Sequence, residues 1–219
     1  MSMFKKIIIV AAVLAIAASA ACAESVQSKS ALSNQDAEKA ETSVCDLIAD
    51  AVRAELNTDI AFVAASEAKA KDKPFDAGQI YSSDINALVS YPDDPLAEVL
   101  LTGKAVRQAL EKSVSIYPQP NLGFLQISGL EFTFDASKNV GERVTSVSVG
   151  GAPLIDSRTY TVALTNSMAN GALGYWKIWS AEDVKYRHSD KSITKAVEDF
   201  MTANKTIDYS TLGRIKAAK

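Results

Sequence analysis

The feature that most constrains the fold is a block of β-rich runs enclosed between helical stretches. Residues 124–127, 130–135, 144–149 and 160–165 are rich in branched and aromatic side chains, and Gly150-Gly151 and Asp156-Ser157 supply turns between the last of them. Before the block, Val44, Leu47, Ile48, Ala51, Val52 and Leu56 recur at three- and four-residue spacing, which predicts a helix over 37–56. A second helix is predicted from Thr102 or Gly103 to about Ser115, a short one over 85–89 after the polar Ser82-Ser83-Asp84, and a last one over 193–203. Strands are expected at 59–64, at 96–101 and near Gly213 to Ile215. Helices early and late with a β-meander between them point to a mixed α/β (α+β) domain rather than a doubly wound sheet.

The N-terminus reads as a secretory signal over residues 1–23: Lys5 and Lys6, an apolar stretch over 7–18, then small residues. Cleavage after Ala21-Cys22-Ala23 leaves Glu24 first; cleavage after Ala20, or lipidation of Cys22, are alternatives. The apolar stretch is too short for a membrane span. Residues 24–36 are polar, Ser-rich and aperiodic and read as a flexible leader, leaving 37–219 as the domain. The expected location is periplasmic or secreted.

A formal net charge of −3, with both signs mixed along the chain, excludes a basic surface for nucleic acid. The chain has one histidine, His188, in a polar stretch read as a solvated loop, so neither a histidine-rich metal site nor a two-metal phosphatase centre can be built from it. No G-x-S-x-G pattern marks a serine nucleophile. Cys45 lies in the apolar periodicity of the first helix and reads as a core thiol. Asp93-Asp94, in a proline-flanked turn, reads as solvent-facing. Residues 67–77 carry six charges and a proline, the pattern of a surface loop. Tyr175, Trp176, Ile178 and Trp179 form an aromatic cluster read first as core, with a ligand-facing lip as the alternative.

Several longer motifs sit on this framework. They are Leu101-Thr102-Gly103 with Leu110-Glu111, then GFLQISGLEFTFD from Gly123 to Asp135, and Arg143-Val144. Gly151-x-Pro153-Leu154, Tyr160-x-Val162-Ala163 and the run from Asn166 to Tyr175 follow. Together they resemble the C-terminal, substrate-binding domain of the 5′-nucleotidase and UDP-sugar hydrolase family. The resemblance covers about Glu41 to the C-terminus.

It implies a nucleotide-binding role, and it also locates departures from the family pattern. The family's Gly-Asn-Leu-Ile helix motif stands here as Cys45-Asp46-Leu47-Ile48. Its Asn-Gly-Gly-Gly-Ile-Arg loop is Ala64-Ala65-Ser66-Glu67-Ala68-Lys69. Its Pro-Phe-x-Asn motif, whose Phe stacks on the base, corresponds to Tyr91-Pro92-Asp93-Asp94. The second stacking Phe becomes Ser167 and the ligand-contacting acid becomes Leu173.

Lys69, Tyr91, Asp94, Asn166 and Asn170 are the candidate substrate-binding residues. No catalytic residue, metal or cofactor is assigned. The expected role is a standalone, non-hydrolytic module for a nucleotide, another small molecule or a protein partner. The alternative is a substrate-binding component acting with a separate metallophosphoesterase chain.

Overall fold

The computed structural model describes residues 24–179 and 186–218, with no account of the side chains of 186–188. The signal-peptide reading over 1–23 lies outside the described residues. The described chain is mixed α/β. Its elements are β1 (Ser25–Ser28), α1 (Ser43–Leu56), β2 (Ile60–Ala64), β3 (Gly78–Tyr81), α2 (Ser82–Asn86), β4 (Pro95–Thr102), α3 (Gly103–Ser113), β5 (Leu125–Ser128) and β6 (Leu130–Phe134). They continue with β7 (Val144–Val149), β8 (Ala152–Pro153), β9 (Thr159–Thr165), α4 (Asn166–Ala169), β10 (Tyr186–Ser192), α5 (Ile193–Ala203), β11 (Thr206–Ile207) and β12 (Ile215–Ala217).

The central sheet has the order β10-β4-β9-β2-β5. β2 runs parallel to β9 and antiparallel to β5, and every one of its residues is buried, as a continuous apolar run on a two-sided central strand should be. α1 covers this sheet with Val44, Leu47, Ile48, Ala51 and Val52, all fully buried, and α5 lies beside it. The helix ends where Asn57 adopts the left-handed conformation at φ 51°. Two further sheets, β11-β1-β3 and β12-β6-β7-β8, complete the fold among the described residues.

The predicted meander is divided between two sheets. β5 and β9 join the central sheet, while β6, β7 and β8 form the other with β12. The chain changes sheet at Gly129, whose φ is +80° and where a Cβ would fall 2.1 Å from the Asp59 carbonyl oxygen. Only glycine serves at that crossing.

Other expectations need correction. Residues 24–36 are not a flexible leader: β1 is the middle strand of its sheet, pairing with β3 and β11, and Val26 and Leu32 are buried. Backbone pairing holds this polar segment, and polarity alone does not reveal pairing. The first helix starts at Ser43 rather than Ala37, because Asp36 takes a positive φ and the Gln126 amide donates to the Ala37 and Ala40 carbonyls, 2.8 Å each. α2 begins at Ser82, with Asp84 accepting from the Tyr81 N–H. His188 belongs to a strand at the edge of the central sheet, not to a loop.

Candidate functional site

The ends of β2 and β9 lie side by side, and the segments leaving them enclose a pocket. Beyond β2 the chain makes one tight helical turn over Ala65–Glu67, and beyond β9 it enters α4. Glu67 joins the two ends. Its carboxylate accepts from the Ala64 N–H at 2.7 Å and from the Thr165 hydroxyl at 2.5 Å, while Thr165 caps α4 by accepting from Met168 N–H. The Ser90 N–H donates to the Glu67 carbonyl, which draws in the loop carrying Tyr91. Across the pocket, the N–H of Ser167 donates to the Asp94 carboxylate at 3.3 Å.

The cavity measures about 240 Å³ and is lined by Ser66, Glu67, Tyr91, Asp94 and Ser167, with Met168, Ala172 and Leu173 closing its apolar side. Tyr91 stands at the mouth, 57% exposed. Leu173 is held at φ 57°, between the positive-φ glycines Gly171 and Gly174. A left-handed leucine costs on the order of 1 kcal/mol, and strain of this kind collects at ligand-facing loops. The loop is anchored from behind: the Tyr175 hydroxyl donates to the Gly123 carbonyl at 2.7 Å, and Tyr175 stacks on Trp179 at 5.0 Å.

Tyr175 and Trp179 are therefore core, as expected. Trp176 is not; it is 63% exposed, with the Lys177 ammonium 5.5 Å from its ring centre.

Electrostatics mark Glu67. Burial pushes its pKa up to about 7, and the nearby Asp94 carboxylate adds to the rise, while the two hydrogen bonds oppose it. The charge run at 67–77 predicts a surface position for Glu67, yet it is buried. The signal that could have found it is its spacing: an acid three residues past a strand end can turn back to a free N–H, as in a capping box.

Of the sequence candidates, Tyr91 and Asp94 meet in the pocket. The expectation that Asp94 faces solvent is corrected: it is half-buried and bonded to α4. Asn166 starts α4 beside the pocket, and Asn170 is exposed at its far end, its amide donating to the Asn166 carbonyl. Lys69 is not brought to Tyr91. It is exposed and does not line this cavity; its backbone bonds to Leu88 and to the Asn34 side chain. Cys45 is fully buried, with its thiol pushed up to about 12 by that burial. Among the described residues no cluster of three or more His, Cys, Asp or Glu side chains could hold a metal ion, and no helix is long and apolar enough to cross a membrane.

A second charged cluster ties the C-terminal strand to α1. Arg214 spans both oxygens of Asp50 at 2.8 Å each, and Tyr209 donates to the same carboxylate at 2.9 Å. The Ser128 hydroxyl donates to Asp50 at 2.5 Å and accepts from Arg53. Arg214, Tyr209 and Ser128 all donate to Asp50, so this cluster clamps the chain together.

Residues 16–180 match the family of the 5′-nucleotidase, C-terminal domain. The chain belongs to that family. A human 5′-nucleotidase is 32% identical over 126 residues, which is 54% of this chain and 22% of the human protein. The crystal structure of a 5′-nucleotidase precursor from Thermus thermophilus superposes with a TM-score of 0.78 at 27% identity, covering 89% of this chain and 39% of that one. The Haemophilus influenzae NAD nucleotidase shares the fold, with a TM-score of 0.75 at 18% identity over 89% of this chain and 38% of its own. The chain thus spans about a fifth of the human relative and under two fifths of those solved structures.

Proposed function

We propose that this chain is a ligand-binding module of the 5′-nucleotidase C-terminal type, which holds a small planar ligand in the Tyr91 pocket and hydrolyses no phosphate ester with its own residues. One observation carries the reading. Tyr91, Asp94, Ser167 and Leu173 come from separate stretches that align with the family's ligand-contacting motifs, and they line a single cavity. The exposed Tyr91 ring offers a stacking face, worth about 1–3 kcal/mol per base in comparable sites.

Calorimetric titration with nucleosides, nucleotides and UDP-sugars tests this. Binding of at least one of them, weakened about tenfold or more by Tyr91→Ala, is the expected result. Binding that ignores Tyr91→Ala refutes the assignment of the pocket. Phosphate released by the purified protein with added divalent metals refutes the non-hydrolytic part.

The match to the 5′-nucleotidase C-terminal domain supports a second reading, in which this domain supplies substrate binding to a separate metallophosphoesterase. Nucleotides binding more tightly than their nucleosides would select it. Export from the cytoplasm belongs to the same proposal, supported by Lys5-Lys6 and the apolar residues that follow. N-terminal sequencing of the protein from the cell envelope checks it, with a start at Met1 as the refuting result.

A further inference from the structure

The charge of the pocket says which ligands it can take. Its lining holds two carboxylates, Glu67 and Asp94, and among the described residues no Lys, Arg or His lines it. The two acids lie close enough for Asp94 to raise the pKa of Glu67. The two lysines near the same loop are turned to other groups: Lys112 stands 5.3 Å from the buried Tyr175 ring and Lys177 stands over Trp176.

Among the described residues, donors reach Glu67 from Ala64 and Thr165, and the Ser167 N–H reaches Asp94. A carboxylate has about four lone-pair positions, so both acids keep acceptor capacity toward the cavity. Met168, Ala172 and Leu173 give the pocket an apolar part of its lining, and Tyr91 adds a ring face. An anion entering this space is repelled by both carboxylates and, among the described residues lining it, finds no cation or glycine-rich backbone cradle to replace its water. An ammonium group finds acceptors and a matching field, and an attached ring finds the apolar wall.

We propose that the Tyr91 pocket selects a small aromatic ligand bearing a positively charged amine and discriminates against phosphorylated or carboxylated ligands. The inference rests on the reading of this pocket as the ligand site and adds the chemical class of the ligand.

The test uses one ring with three charges. Tryptamine, tryptophol and indole-3-acetate are titrated into the full chain by calorimetry at about pH 8.5, where Glu67 is ionised and tryptamine remains a cation. Tryptamine is expected to bind about tenfold or more tightly than indole-3-acetate, with tryptophol between. Asp94→Asn, which keeps an acceptor for the Ser167 N–H, is expected to shrink that gap to about threefold or less, and Tyr91→Ala to weaken all three compounds. Indole-3-acetate binding as tightly as tryptamine, with Tyr91→Ala still weakening both, overturns the charge selection and leaves the pocket standing. A gap that Asp94→Asn leaves untouched overturns the role of the pocket acids. No binding by any of the three at millimolar concentration overturns the inference together with the site reading.

Discussion

Asp46 is the residue whose replacement tests the energetics of this fold most directly. It is 2% exposed, one of its carboxylate oxygens has no hydrogen-bond partner, and the nearest cation, the Arg214 Nε, is 3.7 Å away. Burial pushes its pKa up to about 8, Arg214 opposes the rise, and Glu41 and Asp50 add to it. The folded protein therefore keeps a proton that the unfolded chain, with an aspartate pKa of about 4, gives up. Below about pH 4 both states hold the proton and the group has no effect on stability. Between about pH 4 and pH 8 the native state binds one proton more, so stability falls as pH rises, by up to about 1.4 kcal/mol per unit. At pH 7 the cost is on the order of 2–4 kcal/mol.

Asp46→Asn keeps the shape, is neutral at every pH, and restores the residue found at this place in the family's helix motif. Urea unfolding at pH 4 and pH 7 reads the effect. The variant is expected to be about 2–4 kcal/mol more stable than the natural chain at pH 7, and equal to it at pH 4. Glu67, raised to about 7, leaves a residual slope of the same sign in the variant. A variant less stable at pH 7, or one stabilised equally at both pH values, refutes the reasoning.

Three further outcomes are expected. Gly129→Ala brings a Cβ to 2.1 Å from a backbone oxygen at a positive φ, so it should cost more than about 2 kcal/mol in urea unfolding; Gly150→Ala, at φ +57° in open space, should cost about 1 kcal/mol. Equal costs would mean that the sheet crossing tolerates a shift. The Cys45 thiol should resist a disulfide reagent in the native protein and react fully in denaturant, and rapid native labelling would contradict its burial. Tyr91→Ala should leave the melting temperature within about 2 °C of the natural chain, because an exposed ring contributes little to folding; a larger drop would assign Tyr91 to the core.

The parts of the fold that could be read from the sequence are those where one local rule suffices. The period of Val44, Leu47, Ile48 and Val52 specifies a buried helix face whatever it packs on. The Leu101-Thr102-Gly103 motif is legible because Thr102 caps α3 and a Cβ at Gly103 would fall 2.2 Å from the Ile155 carbonyl oxygen. Glu111 and Arg143 are recognisable for a similar reason: Glu111 accepts from the Arg143 and Val144 N–H groups, and Arg143 donates to the Val114 carbonyl at 2.7 Å. These motifs hold α3 to β7, so the residues that carry the family resemblance are residues that carry the fold.

The pocket obeys no local rule. Glu67 reads as one charge among six until Thr165, 98 positions later, donates to it. β1 reads as a polar tail until β3 and β11 pair with it. Lys69 stands near Glu67 in sequence but not in the cavity, because the tight turn at Ala65–Glu67 directs one side chain inward and the next charged one out. The charge of this site is thus set by which of two neighbouring ionisable residues the turn buries, the acid rather than the base. At the level of motifs, Glu67 and Lys69 in place of a glycine-rich loop and an arginine are a loss of contacts. The folded chain gives the substitution a different sense, since a carboxylate of raised pKa now stands in the pocket near Asp94. A site altered in this way is better probed with a change of ligand charge than with the family's phosphate esters alone.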